Sequence, residues 1–189
     1  MSYVRQKEPR GLGHAILCAK PLVGDEPFGV FLGDDIIVSR LPCMRQLLDV
    51  FEQHGGPVLA VMRMAREEIG RYGVIAAGPG RQRLRGPGPG REAGPAGRPL
   101  GPGHRRSLRP DPHLFPILAE TAPDSRGEIQ LTYGLRTLRG RRRVYAVEFE
   151  GKRHDTGEEL GFLKATVDFA LNRPDLCDQF RAYLKSLDL

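Results

Sequence analysis

Two adjacent carboxylates close an apolar run at Phe28-Gly29-Val30-Phe31-Leu32-Gly33-Asp34-Asp35-Ile36-Ile37. Such a run predicts a buried strand, covered on both faces, that ends near Asp34. Open α/β sheets take ligands outside the carboxyl ends of their strands, and Gly33 permits close backbone approach there. Carboxylates in that place suit Mg²⁺, a hard cation that takes one or two acidic oxygens together with substrate phosphates. A plain acidic turn would leave the same pattern. A second candidate lies near the N-terminus, where Gly11-Leu12-Gly13-His14 precedes Ala15-Ile16-Leu17-Cys18. This predicts a glycine-containing loop entering a short helix, whose N-terminus can accept a phosphate or a base edge. His14 fits a packed or capping residue better than a base or ligand.

These candidates need elements to hold them. Ser39 as cap and Pro42 in the first turn predict a helix with Met44, Leu47, Leu48 and Phe51 on one face, ended by Gly55-Gly56. Residues 57–64 and 72–77 are strand-like. Leu131, Leu135 and Leu138 predict a helical face beginning near Glu128. Alternation of Tyr145, Val147 and Phe149 predicts a half-buried strand over 143–150, and His154-Asp155-Thr156-Gly157 a strand-to-helix turn. Leu160, Leu163, Val167 and Leu171 stripe one helix, and Leu176, Phe180, Tyr183, Leu184 and Leu187 the last; these stripes are core or oligomer contact. Strands alternating with helices predict an α/β sandwich.

Length and charge bound the function. One substantial core fits 189 residues. No long apolar span is present, the polar first ten residues do not read as a secretory signal, and Cys18, Cys43 and Cys177 show neither disulfide nor zinc spacing. A reducing cytoplasm and no membrane are therefore expected. The net charge of +6 invites nucleic-acid binding, but residues 78–114 alone carry eight Arg against one Glu and one Asp. The remainder is neutral overall, so no nucleic-acid partner is expected.

Several short motifs occur in one order: Val4-Arg5-Gln6, Gly11-Leu12-Gly13-His14-Ala15, Gly24-Asp25-Glu26-Pro27, Tyr72-Gly73-Val74, Glu128-Ile129-Gln130-Leu131-Thr132 and Lys152-Arg153-His154-Asp155. Over roughly 1–77 and 112–189 the chain resembles the bacterial UTP–glucose-1-phosphate uridylyltransferases. The resemblance implies a Rossmann-like nucleotide-diphospho-sugar transferase sandwich with a mixed sheet, here incomplete. It implies transfer of UMP from UTP to glucose 1-phosphate, giving UDP-glucose and pyrophosphate, with Mg²⁺ as cofactor and a homo-oligomer in the intact family. Residue by residue, it implies Asp34 and Asp155 as metal carboxylates, with Asp34 at the catalytic centre. Gln6 and Gly11 match the positions that read the uracil edge, and Gly73 a backbone contact to glucose. Asp35 has no such match and is expected to be a turn residue. Tyr133 and Glu158 stand where the family usually has aspartate and asparagine. The family's G-x-G-T-R phosphate loop and downstream lysine have no counterpart before Val4. A glucose-1-phosphate thymidylyltransferase is a rival, as is a non-catalytic remnant that binds a nucleotide or a homologous subunit.

The chain divides into a partial core over 1–77, a Gly/Pro/Arg-rich segment over 78–111, and the rest of the domain over 112–189. Residues 78–114 hold nine Gly, eight Pro and eight Arg. That composition predicts an unpacked excursion with no ladder strand, neighbouring strands left with exposed edges, and marginal stability. A shifted reading frame explains it. Gly90-Arg91-Glu92-Ala93 written GGT CGA GAA GCC, started one nucleotide later, reads V-E-K-P. With the codon of Gly103, His104 to Asp111 at the same offset permits A-I-V-G-R-Y-V-L-T, a string the family carries there. The sugar-binding glutamate and lysine of E-K-P are then absent, and an impaired or inactive polypeptide is expected.

Overall fold

The computed structural model describes residues 1–63, 84–85, 107–109 and 113–187. Its elements in chain order are α1 (Gly11–Cys18), α2 (Lys20–Val23), β1 (Val30–Phe31), β2 (Asp35–Val38), α3 (Cys43–His54), β3 (Val58–Val61), β4 (Leu84–Arg85), β5 (Ser107–Arg109), α4 (Leu114–Glu120), α5 (Leu131–Arg141), β6 (Tyr145–Glu148), β7 (Lys152–Asp155), α6 (Glu159–Leu171) and α7 (Cys177–Ser186). Five strands form a mixed sheet in the order β1-β5-β3-β6-β4; β2 and β7 form a separate antiparallel ribbon. β3, β6 and β4 run parallel, while β5 is antiparallel to both β1 and β3.

Strand β3 shows why the sheet is a middle layer. All four of its residues are buried, and alternate side chains of a strand point to opposite faces. Leu59 and Val61 join Ile16, Leu114, Phe115, Leu118, Leu131 and Leu138 from α1, α4 and α5. Val58 and Ala60 join Cys43, Leu47 and Val50 of α3 on the other face. Burying both faces of a parallel pair is what makes its sequence read as continuously apolar. Helix α3 ends on Gly55 at φ 64°, the left-handed cap expected there. At its other end Ser39 donates to Leu41 O, and Pro42, not Ser39, occupies the cap position. Buried Gln46 ties α3 to the β6–β7 connection: its Nε2 donates to Leu41 O and Glu150 O, and its Oε1 accepts from Glu150 N.

Several expectations change. The apolar run at 28–37 is two strands, not one. Gly33 and Asp34 form a turn between β1, which belongs to the five-stranded sheet, and β2, which pairs with β7. It is also not covered on both faces: Phe31, Ile36 and Val38 are exposed. Helix α5 starts at Leu131, three residues beyond Glu128. The Leu160 and Leu163 stripe of α6 is more than half exposed, so it is not core within this chain.

The segment over 78–111 also departs from expectation where it is described. Leu84 and Arg85 pair with Val147 and Glu148, and Ser107–Arg109 lies between β1 and β3. Neither run contains proline, so both keep the backbone donors a ladder needs. They also supply partners to β3 and β6, so β6 is flanked on both sides. The rest of that segment, the strand-like stretch at 72–77 and Gly73 lie outside the described residues.

Candidate functional site

The β2–β7 ribbon builds the first constellation. Its register sets Asp35 opposite Asp155 and Ile37 opposite Arg153. Residues two apart on a strand share a face, so Arg153 and Asp155 project together toward the Asp35 side. Arg153 is 7% exposed and Asp35 3%. The guanidinium Nε donates to Asp35 Oδ1, and Nη2 donates to Asp155 Oδ2 at 2.9 Å. Asp35 Oδ2 is buried with no hydrogen-bond partner among the described residues. Burial pushes the Asp35 carboxyl above its ordinary range; the Arg153 hydrogen bond and charge oppose this, and the Asp155 and Asp34 charges add to it. Asp35 is thus not the plain turn residue expected. It is a buried charge with a committed partner.

Asp34 enters from the turn before β2. Thr156 fixes its backbone twice: Thr156 N donates to Asp34 O at 2.8 Å, and Thr156 Oγ1 to the same oxygen at 3.1 Å. The turn after β7 returns the contact, with Gly157 N donating to Asp155 Oδ1 at 3.2 Å. A Cβ added to Gly157 would stand 2.7 Å from Asp34 Oδ2 and 3.4 Å from Asp155 Oδ1. Both carboxylates therefore border one small space that the missing side chain leaves open. Helix α6 closes the turn so tightly that a Cβ on Gly161 would fall 1.9 Å from Asp155 O. Among the described residues no group of three or more His, Cys, Asp or Glu could hold a metal. Two carboxylate oxygens beside an open space fit a hard cation that completes its shell with phosphate and water, not a closed all-protein site.

The second constellation surrounds the start of α1. Gly11 has φ 82°, and a Cβ there would approach Glu128 Cβ to 2.9 Å. A Cβ on Gly13 would lie 2.6 Å from Ile129 O, and Gly13 N donates to that same oxygen at 2.9 Å. Ile129 N in turn donates to Arg10 O. The Gly11-Leu12-Gly13-His14 and Glu128-Ile129-Gln130 motifs are therefore two sides of one backbone contact, which only glycine permits. Gln6 Nε2 bonds Gly11 O at 3.0 Å and meets His14 Nδ1 at 2.9 Å. The structure so brings Gln6 and Gly11 together and gives His14 a structural partner. Asp124 orders the supporting turn: its carboxylate accepts from Arg126 N, Glu128 N and Gln130 Nε2, and these bonds hold it below the usual carboxylate range.

The chain is 41% identical over 99% of its length to a Staphylococcus epidermidis protein named UTP–glucose-1-phosphate uridylyltransferase, and 40% identical over 98% to a Bacillus subtilis protein of that name. The nucleotidyl transferase family matches residues 1–85. The chain spans 65% and 64% of the length of those two relatives. Among solved structures, a UDP-glucose pyrophosphorylase complexed with UDP-glucose is 32% identical with a TM-score of 0.73, covering 91% of this chain and 66% of that one. A UTP-bound enzyme from Acinetobacter baumannii superposes with a TM-score of 0.81 over 98% of this chain and 65% of that one; at 24% identity it speaks for the Rossmann-like α/β fold alone. The buried Arg153 is the residue of the site that the sequence motifs did not single out. For Arg153 a signal existed, a single arginine two residues before a carboxylate in a strand whose partner begins with another.

Proposed function

We propose that this chain is a nucleotidyl transferase and carries the site of a UTP–glucose-1-phosphate uridylyltransferase. The reaction is in-line attack of a glucose 1-phosphate oxygen on the α-phosphorus of UTP, giving UDP-glucose and pyrophosphate. Positioning and charge neutralisation supply most of the catalysis in such transfers. The convergence of Asp34 and Asp155 on Gly157 carries the reading. These two residues would hold a divalent ion, which we take to be Mg²⁺. When bound, that ion neutralises phosphate charge as the transferring group develops it. Asp34 is the carboxylate at the reacting phosphate, its backbone carbonyl held by Thr156; the Asp155 carboxylate is held from Arg153 and Gly157 N.

Gln6 and Gly11 take the uracil edge. Both described bonds of Gln6 use Nε2, so its Oε1 is the atom placed to accept the single N–H of uracil. Gly11, without a side chain, lets the base approach the backbone. Gly73 is assigned to the glucose contact. Among the described residues Cys18, Cys43 and Cys177 form no disulfide with one another, which fits a cytoplasmic protein, and no described helix is long and apolar enough to cross a membrane. The exposed Leu160, Phe162 and Leu163 of α6 fit a contact between copies.

Turnover by this polypeptide is expected to be low, since its 78–111 segment lacks the family's E-K-P glutamate and lysine. Removing one preorganised charge contact typically costs about 10²–10³ in rate. The test is UDP-glucose formation from UTP and glucose 1-phosphate, with dTTP as competitor and UDP-glucose binding measured beside it. Weak UDP-glucose binding that exceeds dTDP-glucose binding, with turnover far below the common value of roughly 10 s⁻¹, is the expected result. Preference for the thymidine nucleotide, or binding of neither, would overturn it.

A further inference from the structure

We infer that Arg153 is a positioning residue, held by Asp35, that sets the Asp155 carboxylate in the orientation a divalent cation requires. The inference rests on the metal role proposed above for Asp34 and Asp155. Its geometry does not: one guanidinium, 7% exposed, donates by Nε to Asp35 and by Nη2 to Asp155 Oδ2. A fork with fixed angles can serve two carboxylates in one plane, which an ammonium on a flexible stem cannot.

The division of labour within Asp155 is the point. Arg153 takes Oδ2, and Gly157 N takes Oδ1 at 3.2 Å. Oδ1 is also the oxygen that borders the open space shared with Asp34 Oδ2. Arg153 therefore turns the second oxygen away and leaves the first at the shared space. Charge explains why Asp35 is present. An arginine beside Asp155 alone would cancel the charge that a cation needs. Asp35, 3% exposed and directly opposite Asp155 in the ribbon, supplies a countercharge to the guanidinium. Outer partners of this kind fix ligand orientation, and their loss typically costs about 10–100-fold in metal affinity.

The test is Mn²⁺ binding to the full chain without nucleotide, followed by room-temperature electron paramagnetic resonance, with thermal midpoints measured in parallel. Arg153→Lys keeps the charge and loses the fork; Arg153→Met loses both; Asp35→Asn removes the countercharge; Asp34→Asn reports on the metal reading itself. The expected result is weaker Mn²⁺ binding by about tenfold or more in Arg153→Lys, at an unchanged thermal midpoint, and a similar loss in Asp35→Asn. A role limited to neutralising buried charge would be satisfied by lysine. Wild-type Mn²⁺ affinity in Arg153→Lys, with Asp34→Asn impaired, would overturn the positioning role and leave the metal reading standing. Wild-type affinity in Asp34→Asn would instead overturn the metal reading and this inference with it. Should Arg153→Met fail to fold, the lysine variant decides.

Discussion

Asp34 Oδ2 and Asp155 Oδ1 border the same space beside Gly157, although the two residues lie 121 positions apart in sequence; the pairing of β2 with β7 brings them together. Filling that space is the simplest perturbation. In Gly157→Ala the new methyl would sit 2.7 Å from Asp34 Oδ2, closer than Cβ contacts occur. Gly157 is exposed and the atom it meets is a side-chain oxygen that can swing aside, so little stability should be lost. Mn²⁺ affinity should fall by about tenfold or more because the carboxylate must move. Binding titrations and thermal melts on the same sample separate the two effects.

The glycine contact at α1 gives a second expectation. Gly13→Ala would put a Cβ 2.6 Å from Ile129 O, which is backbone and cannot swing aside. A loss of about 1–3 kcal/mol is expected, with faster hydrogen exchange at the Gly13 amide. UDP-glucose binding should weaken as Gly11 and Gln6 lose their support. Urea denaturation with amide-resolved exchange checks both.

The turn that carries Glu128 and Ile129 should be acid-sensitive. Asp124 is held below the usual carboxylate range by the Glu128 amide first, then Gln130 and the Arg126 amide. A carboxyl with a depressed folded-state pKa contributes stability that is present above its unfolded value of about 4 and is lost as pH falls through the folded value. Asp124→Asn should therefore narrow the difference in denaturation midpoint between pH 7 and pH 3. An unchanged pH profile in that variant would refute the assignment.

Gln46 offers a stability test at a distance from the site. Its amide satisfies Leu41 O, Glu150 O and Glu150 N inside the fold. Gln46→Leu keeps the volume and leaves those groups unpaired, at about 1–3 kcal/mol for a buried orphan. Chemical denaturation should show the loss, with Mn²⁺ affinity reduced less than in Gly157→Ala.

Much of this arrangement was legible in the residues. The alternating faces of Val58–Val61, the Gly55 cap and the alternation at Tyr145–Phe149 follow from periodicity and turn chemistry. So does the placing of Asp34 at a strand end. What escaped was pairing. Nothing local tells that Asp35 leaves one sheet and starts another, because a run of apolar residues interrupted by Gly33-Asp34 reads alike in both cases. The buried Asp35–Arg153 pair depends on the β2–β7 register, which is set by contacts across 118 positions of sequence. The strands at Leu84–Arg85 and Ser107–Arg109 were hidden by their surroundings. Composition averaged over 78–114 argues against order, yet three or fewer proline-free residues suffice when a neighbouring strand offers unpaired groups.

The central claim is that Asp34 and Asp155 together hold the cation that meets the nucleotide phosphates. It is tested most directly by titrating UDP-glucose into the chain with and without Mn²⁺, and repeating this for Asp34→Asn and Asp155→Asn. Mn²⁺ should tighten UDP-glucose binding to the unaltered chain by about tenfold or more, and that gain should vanish in both variants. An equal Mn²⁺ gain in Asp34→Asn would contradict the account.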